Sequence, residues 1–252
     1  AADGYRSFVE THGLDFAPMG SEVLRLSQQA LSRVNGLASA VQAGRKMMPA
    51  MRRSLDEAWD AARAMQPDLI VYHPKSLSGV HIAEKLNIPA VLSLPLPLLT
   101  PTSAFPSPAL ARFEPGGWFN RMTYHVQRLA MMPYSGMVND FRRQTLGLPP
   151  LSRFADGLHH RDGTPLPILY SYSRHVLPVP EDFPPHVHVT GYWFLDRPED
   201  WQPDPGLVSF LNAGPPPVYI GFGSMAAVTD SRQRASLLAD ALATSGQRGL
   251  LD

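Results

Sequence analysis

The stretch Pro67-Asp68-Leu69-Ile70-Val71-Tyr72-His73-Pro74-Lys75-Ser76-Leu77-Ser78-Gly79-Val80-His81-Ile82-Ala83-Glu84-Lys85-Leu86-Asn87-Ile88-Pro89-Ala90-Val91-Leu92-Ser93-Leu94 reads as strand, helix, strand. Asp68 to Tyr72 is a short, β-branched run that suits a strand buried on both faces. Leu77, Val80, Ala83 and Leu86 recur at helical spacing behind Ser76, a candidate N-cap, and Asn87 can close the helix. Ile88 to Leu94 is apolar again. Two strands joined by one helix predict a parallel pair with a right-handed crossover, hence an α/β fold.

Outward from this unit, helical segments are expected over Ser21 to Val34 and over Gly44 to Met65, with Pro49 near the first turn of the latter, where proline is tolerated. A longer helical stretch, Trp118 to Leu146, is interrupted at Pro133. Ile168 to Ser171 and His186 to Thr190 read as further short strands. The run Asp196-Arg197-Pro198-Glu199-Asp200-Trp201-Gln202-Pro203-Asp204-Pro205 has linker composition. Asp204 can then cap a short helix, Pro205 to Leu211, with Gly214 beyond its end. After Pro217 come a strand, Val218 to Phe222, a helix, Ser231 to Thr244, and a last strand from Arg248.

Composition narrows the function classes. Lysine plus arginine and aspartate plus glutamate number 22 each, so net charge gives no reason to expect nucleic-acid binding. Cysteine is absent, which removes disulfides, thiolate-zinc sites and thiol nucleophiles; a cytoplasmic location is the expectation. The longest apolar run, Ile88 to Leu99, is too short and too rich in proline to span a bilayer. The 26 prolines cluster at 95–108, 149–150, 165–185 and 198–217 and mark long ordered loops.

Few motifs carry chemistry. Gly221-Phe222-Gly223-Ser224-Met225 follows a strand and precedes a helix, an arrangement in which backbone amides and a hydroxyl can meet a phosphate. It is neither a Walker loop nor G-x-G-x-x-G, so the ATP and NAD fingerprints fail. Tyr72-His73-Pro74-Lys75-Ser76 sits at the carboxyl end of a parallel strand, where open α/β sheets place ligands. His73 can handle a proton near neutral pH and Lys75 can answer an anion; a loop histidine and a solvated lysine are the plainer reading. His159-His160 and His186/His188 lack the partners of a zinc site, and no Gly-x-Ser-x-Gly elbow occurs. Trp118, Phe119, Met122, Tyr124, Met131, Met132, Tyr134 and Met137 suit either core or the wall of an apolar cleft. Arg121, Arg128, Arg142 and Arg143 are few and spread for a membrane-facing patch.

In series, Pro67 to Lys75, Ile82 to Val91 and Pro217 to Met225 resemble the sterol 3-β-glucosyltransferase-like branch of family 1 glycosyltransferases. Arg6 to Phe16 is similar to that family's segment after its second strand, and His188-Val189-Thr190-Gly191-Tyr192-Trp193 to its run into the interdomain linker. The resemblance implies a GT-B fold of two Rossmann-like domains: residues 1–195 for the acceptor, 196–216 as linker, and 217–252 opening the nucleotide-sugar domain. It implies transfer of a sugar, glucose first, from a UDP-sugar to a hydroxyl of a sterol-like or other lipophilic acceptor, with inversion and no obligatory metal. The UDP-sugar is a co-substrate and no cofactor is expected. His73, Pro74 and Lys75, with Trp118 and Met122, fall on the acceptor side; Gly223, Ser224 and Met225 fall beside the donor diphosphate.

The family's opening Gly-Ser-x-Gly-Asp loop would precede Ala1, and its later His-x-Gly-x-Gly-Thr donor motif would follow Asp252. The expectation is therefore a truncated chain, inactive alone, whose catalytic base is unassigned. A macrolide, glycopeptide or MurG-like acceptor remains an alternative, since fold does not fix function. So does a non-catalytic module that binds an apolar ligand or a partner. Peripheral membrane contact is compatible with either.

Overall fold

The structure, a computed structural model, describes residues 1–31, 37–110, 116–125, 129, 131–152, 155, 157–198, 200–222 and 231–251. The chain divides into two compact units, Ala1–Val23 with Met48–Phe194 and Leu24–Met47 with Leu195–Asp252.

The first unit is built on a four-stranded, wholly parallel sheet. Its strands β1 (Ile70–Tyr72), β2 (Ala90–Leu94), β3 (Ile168–Tyr170) and β4 (Val187–Val189) lie side by side in chain order. Tyr72 pairs with Leu92, Leu94 with Tyr170, and Tyr170 with Val189. Ahead of the sheet in the chain come the short helix α1 (Arg6–Thr11), α2 (Ser21–Leu31), which belongs to this unit only as far as Val23, and the long α3 (Leu37–Met65), which belongs to it from Met48 onward. Because α3 begins before Gly44, Pro49 lies inside the helix and not in its first turn.

Helix α4 (Gly79–Leu86) crosses from β1 to β2 and sits between two apolar clusters. Val80 and Ala83 pack with Ala90, Leu92, Leu94, Ile168 and Tyr170 of the sheet. Ile82 packs with Leu55 and Ala58 of α3 and with Met137, Phe141 and Leu146. Full burial of each large aliphatic group stabilises the fold by about 1.5–3 kcal/mol.

Two expectations for this unit need correction. The helix starts at Gly79 and not behind Ser76, with Ser78 at the N-cap position, and the Tyr72 ring lies so close to Gly79 that any Cβ there would overlap it. Residues 73–76 are spent instead on a turn, in which the Ser76 amide donates to the His73 carbonyl at 2.8 Å. Nor is β1 buried on both faces: among the described residues it pairs with β2 alone, and Val71 is 51% exposed. At the other end of α4, Asn87 closes the helix in the left-handed region (φ 56°, ψ 46°), its amide donating to the carbonyls of Ala83 and Glu84.

The segment expected to be one interrupted helix is broken into pieces. Helix α5 (Gly117–Thr123) is followed by a 3-10 turn at Met132–Tyr134 around Pro133, helix α6 (Ser135–Asp140) and a π-helical turn (Phe141–Leu146) closed by Gly147 at φ 66°. Arg142, grouped above with surface cations, is fully buried. Its Nε donates to the Pro149 carbonyl at 2.8 Å, and its Nη1 lies 2.7 Å from Glu84 and 3.0 Å from His81 Nδ1. A guanidinium this deep persists only with such a full set of acceptors.

The second unit holds helix α7 (Pro205–Asn212), strand β5 (Val218–Ile220), helix α8 (Ser231–Ser245) and strand β6 (Gly249–Leu251), with β5 and β6 parallel. Asp204 caps α7 as its position promised, accepting from the amides of Gly206 (2.8 Å) and Leu207 (3.1 Å). Arg248 answers the other end of α7. It donates to the carbonyls of Phe210 and, at 2.6 Å, Pro215, and its guanidinium stands 4.3 Å from the centre of the Phe210 ring. Gly223, Ser224 and Met225 lie outside the described residues. Among the described residues no helix is long and apolar enough to cross a membrane.

Candidate functional site

Parallel strands of a sheet expose their carboxyl ends together, and connecting loops leave a crevice there. In the first unit that edge holds a cavity of about 280 Å³ lined by Val71 and Tyr72 of β1 and His73 after it, Ser93 and Pro95 at the end of β2, and Ser171 after β3. Of the residues singled out in the sequence, His73 lies in its wall. Pro74 and Lys75 form the turn that positions it.

That turn is short and well determined. Pro74 occupies the second position of the four-residue turn His73 to Ser76, where its fixed φ suits the bend. The Lys75 amide donates to His73 Nδ1 at 3.1 Å, which holds the ring against its own loop. Burial, and secondarily the Lys75 charge, lower the His73 pKa below its ordinary value, so the imidazole is neutral at physiological pH. Next to it, burial raises the Tyr72 phenol, whose hydroxyl has no hydrogen-bond partner among the described residues. Tyr72 also closes one end of a second, more apolar groove of about 200 Å³, bordered by Ala58, Ala61 and Ala62 of α3 and by Ile82 of α4.

The loop that leaves β2 is pinned by Tyr170 of β3 and by Asp182 of the connection from β3 to β4. Tyr170 is fully buried, and its Oη accepts from the amides of Leu99 (3.2 Å) and Thr100 (3.1 Å) while lying 2.8 Å from Thr100 Oγ1. Asp182 accepts from Thr102 Oγ1 (2.5 Å), the Ser103 amide (2.8 Å) and Ser103 Oγ (2.9 Å), with Arg121 at 3.5 Å. Burial acts to raise the Asp182 pKa, but these donors outweigh it and hold the carboxyl below its usual range.

Helix α5 is tied to the same loop through one face. Asn120 Nδ2 donates to the Ser103 carbonyl (2.9 Å), and Thr123 Oγ1 accepts from the Ser107 amide (2.7 Å). The opposite face carries Trp118 and Met122, 75% and 51% exposed. They are not in the wall of the cavity beside His73, whereas Tyr124 and Met137 of the same aromatic and methionine series are buried in the core. Ser93, Pro95 and Ser171 were missed in the sequence; the rule that drew attention to the end of β1 reaches them once it is applied to β2 and β3 as well.

No family model matches the chain. It is, however, 33% identical over 257 residues to a sterol 3-beta-glucosyltransferase of Arabidopsis thaliana, covering 98% of this chain and 41% of that protein. A second Arabidopsis thaliana sterol 3-beta-glucosyltransferase is 32% identical over the same share of this chain and 39% of its own. A sterol 3-beta-glucosyltransferase of Cryptococcus neoformans is 33% identical across 98% of this chain and 16% of its own length. Among solved structures, the glycosyltransferase SnogD from Streptomyces nogalater covers 99% of this chain and 57% of its own, at 19% identity and a TM-score of 0.46. Spinosyn forosaminyltransferase SpnP covers 99% and 56%, at 15% identity and the same TM-score. The chain spans about two fifths of the length of the plant relatives it matches. Its similarity to the plant sterol 3-beta-glucosyltransferases thus runs along 98% of its own residues and about two fifths of theirs.

Proposed function

We propose that this protein serves in glycosyl transfer from a UDP-sugar, glucose first, to the hydroxyl of a sterol-like acceptor. The observation that carries this reading is the 33% identity to a sterol 3-beta-glucosyltransferase along 98% of the chain. In this reading residues 1–195 form the acceptor domain of a GT-B enzyme, 196–216 the linker, and 217–252 the opening of the donor domain. The cavity at the ends of β1 to β3 takes the acceptor hydroxyl, with His73 in its wall and Pro74 and Lys75 in the adjoining turn. Trp118 and Met122 meet the lipophilic body of an acceptor or a lipid surface that delivers it. Gly223, Ser224 and Met225 form the donor-side turn at the diphosphate.

The chemistry required is deprotonation of the hydroxyl as it attacks the anomeric carbon, with the departing diphosphate stabilised by amides and side chains. A parallel sheet edge is a suitable scaffold, because it holds the attacking oxygen on rigid strand ends and leaves the loops to vary with the acceptor. The test is a transfer assay with radiolabelled UDP-glucose paired, because the chain is expected to be inactive alone, with direct binding of a panel of sterols, triterpenoid alcohols and polyketide aglycones. A steryl glucoside product supports the reading. Labelled product from the polyketides alone would replace the acceptor class, and binding of no sterol to the protein would remove the acceptor assignment.

A further inference from the structure

Among the described residues His73 is the one imidazole in the wall of the 280 Å³ cavity, and its two ring nitrogens are not equivalent. Nδ1 lies 3.1 Å from the Lys75 amide nitrogen. A backbone N–H can only donate, so Nδ1 must be the bare, accepting nitrogen, and a neutral ring then carries its proton on Nε2. The alternative tautomer would set two N–H groups against each other within a turn that Pro74 stiffens and that the Ser76 amide closes at 2.8 Å. The low His73 basicity produced by burial and by the Lys75 charge keeps the ring in this neutral form.

We propose that His73 presents a fixed Nε2–H donor to an oxygen atom of an apolar alcohol held in this cavity, and that proton removal from that hydroxyl falls to another group. This rests on the acceptor reading given above for the occupant, but the tautomer follows from the turn alone. A histidine acting as base needs a bare Nε2, which here would break the Lys75 bond or require the ring to leave its wall. A donor at this position instead fixes the oxygen and directs its lone pair, leaving the O–H proton free to point elsewhere. The consequence for specificity is direct. A donor recognises any oxygen with a lone pair, so a ketone is held as well as an alcohol, while a base requires the O–H.

The test has two arms on the 252-residue chain. Long-range ¹H–¹⁵N NMR at pH 7.5, with His73 assigned by the signals lost in His73→Gln, should show the neutral ring protonated at Nε2. A ring protonated at Nδ1, or at both nitrogens, overturns the proposal. In the second arm a sterol alcohol and its 3-keto counterpart are titrated into wild type, His73→Gln and His73→Ala, each checked for folding by its NMR spectrum. Alcohol and ketone should bind wild type within about threefold of each other. His73→Gln, which keeps an N–H donor, should stay within about threefold of wild type, and His73→Ala should lose about tenfold for both, the size of one hydrogen bond. Retention of the alcohol with loss of the ketone overturns the donor role. Failure of wild type to bind either ligand overturns the assigned occupant and the acceptor reading with it, and is distinguished from failure of the tautomer by the NMR arm.

Discussion

The Arg142 guanidinium, without any exposed surface, donates to both carboxylate oxygens of Glu84, at 2.7 and 3.2 Å. The pair joins the π-helical turn to helix α4, with the His81 ring of α4 beside it. Glu84 is in part solvated, and burial acts to raise its pKa, but the Arg142 hydrogen bonds and charge outweigh this and lower it.

Removing the arginine should therefore be costly. Arg142→Met strands the Glu84 carboxylate, the His81 ring and the Pro149 carbonyl, with an expected loss of roughly 3–5 kcal/mol. Urea unfolding of Arg142→Met, Glu84→Gln and the double variant checks this. The double variant should be more stable than the sum of the two losses predicts, by more than about 1 kcal/mol.

A pH dependence follows from the same cluster. Burial, then the Arg142 charge, lower the His81 pKa from 6.5 to about 4, with Glu84 opposing. Below about pH 6.5 the unfolded chain takes up a proton at His81 that the folded chain refuses until about pH 4, so stability falls as pH drops through this window. The full effect is on the order of 3 kcal/mol. Urea midpoints at pH 7.5, 6, 5 and 4.5 should decline in wild type and decline less in His81→Asn. Equal slopes in the two proteins would refute the assignment to His81.

Gly79→Ala should destabilise the first unit by about 1–3 kcal/mol through overpacking. The added methyl meets the Tyr72 ring at Cγ, so a flip about χ2 cannot relieve it and either the whole side chain or the strand end must move. Thermal unfolding of Gly79→Ala beside Gly136→Ala, which meets nothing within 4 Å, isolates the contact.

Asp182→Ala should loosen the loop after β2. It removes the acceptor of the Thr102 hydroxyl and of the Ser103 amide and hydroxyl, an expected loss of about 1–3 kcal/mol. Amide hydrogen exchange should show the Ser103 amide losing protection while Leu92, in the adjoining strand, keeps it. Unchanged exchange at Ser103 would count against the latch.

Local signals were readable from the sequence and tertiary ones were not. Asn87 and Asp204 announced their caps because a cap depends on a residue and its immediate neighbours. The strand cores at Ile70, Leu92, Ile168 and Val218 followed from short apolar runs. The exposure of Val71 could not, since it depends on which strand lies alongside. The closeness of Gly79 to its neighbours depends on where the Tyr72 ring settles, and the burial of Arg142 on a carboxylate 58 positions away. In the site, His73 was visible from its place after a strand. Ser93, Pro95 and Ser171 join it only once β1, β2 and β3 are aligned in register.

The bond that orients His73 comes from the main chain of Lys75, and this has an evolutionary consequence. The side chain at position 75 can drift to almost any residue without removing the bond that orients the imidazole, because every amino acid but one supplies the same amide. Proline alone would delete it. Position 75 is thus free in chemistry and constrained in a single letter, while Pro74 carries the shape. A site arranged this way can exchange its outward charge to suit new ligands while the polarity of its inward histidine stays inherited.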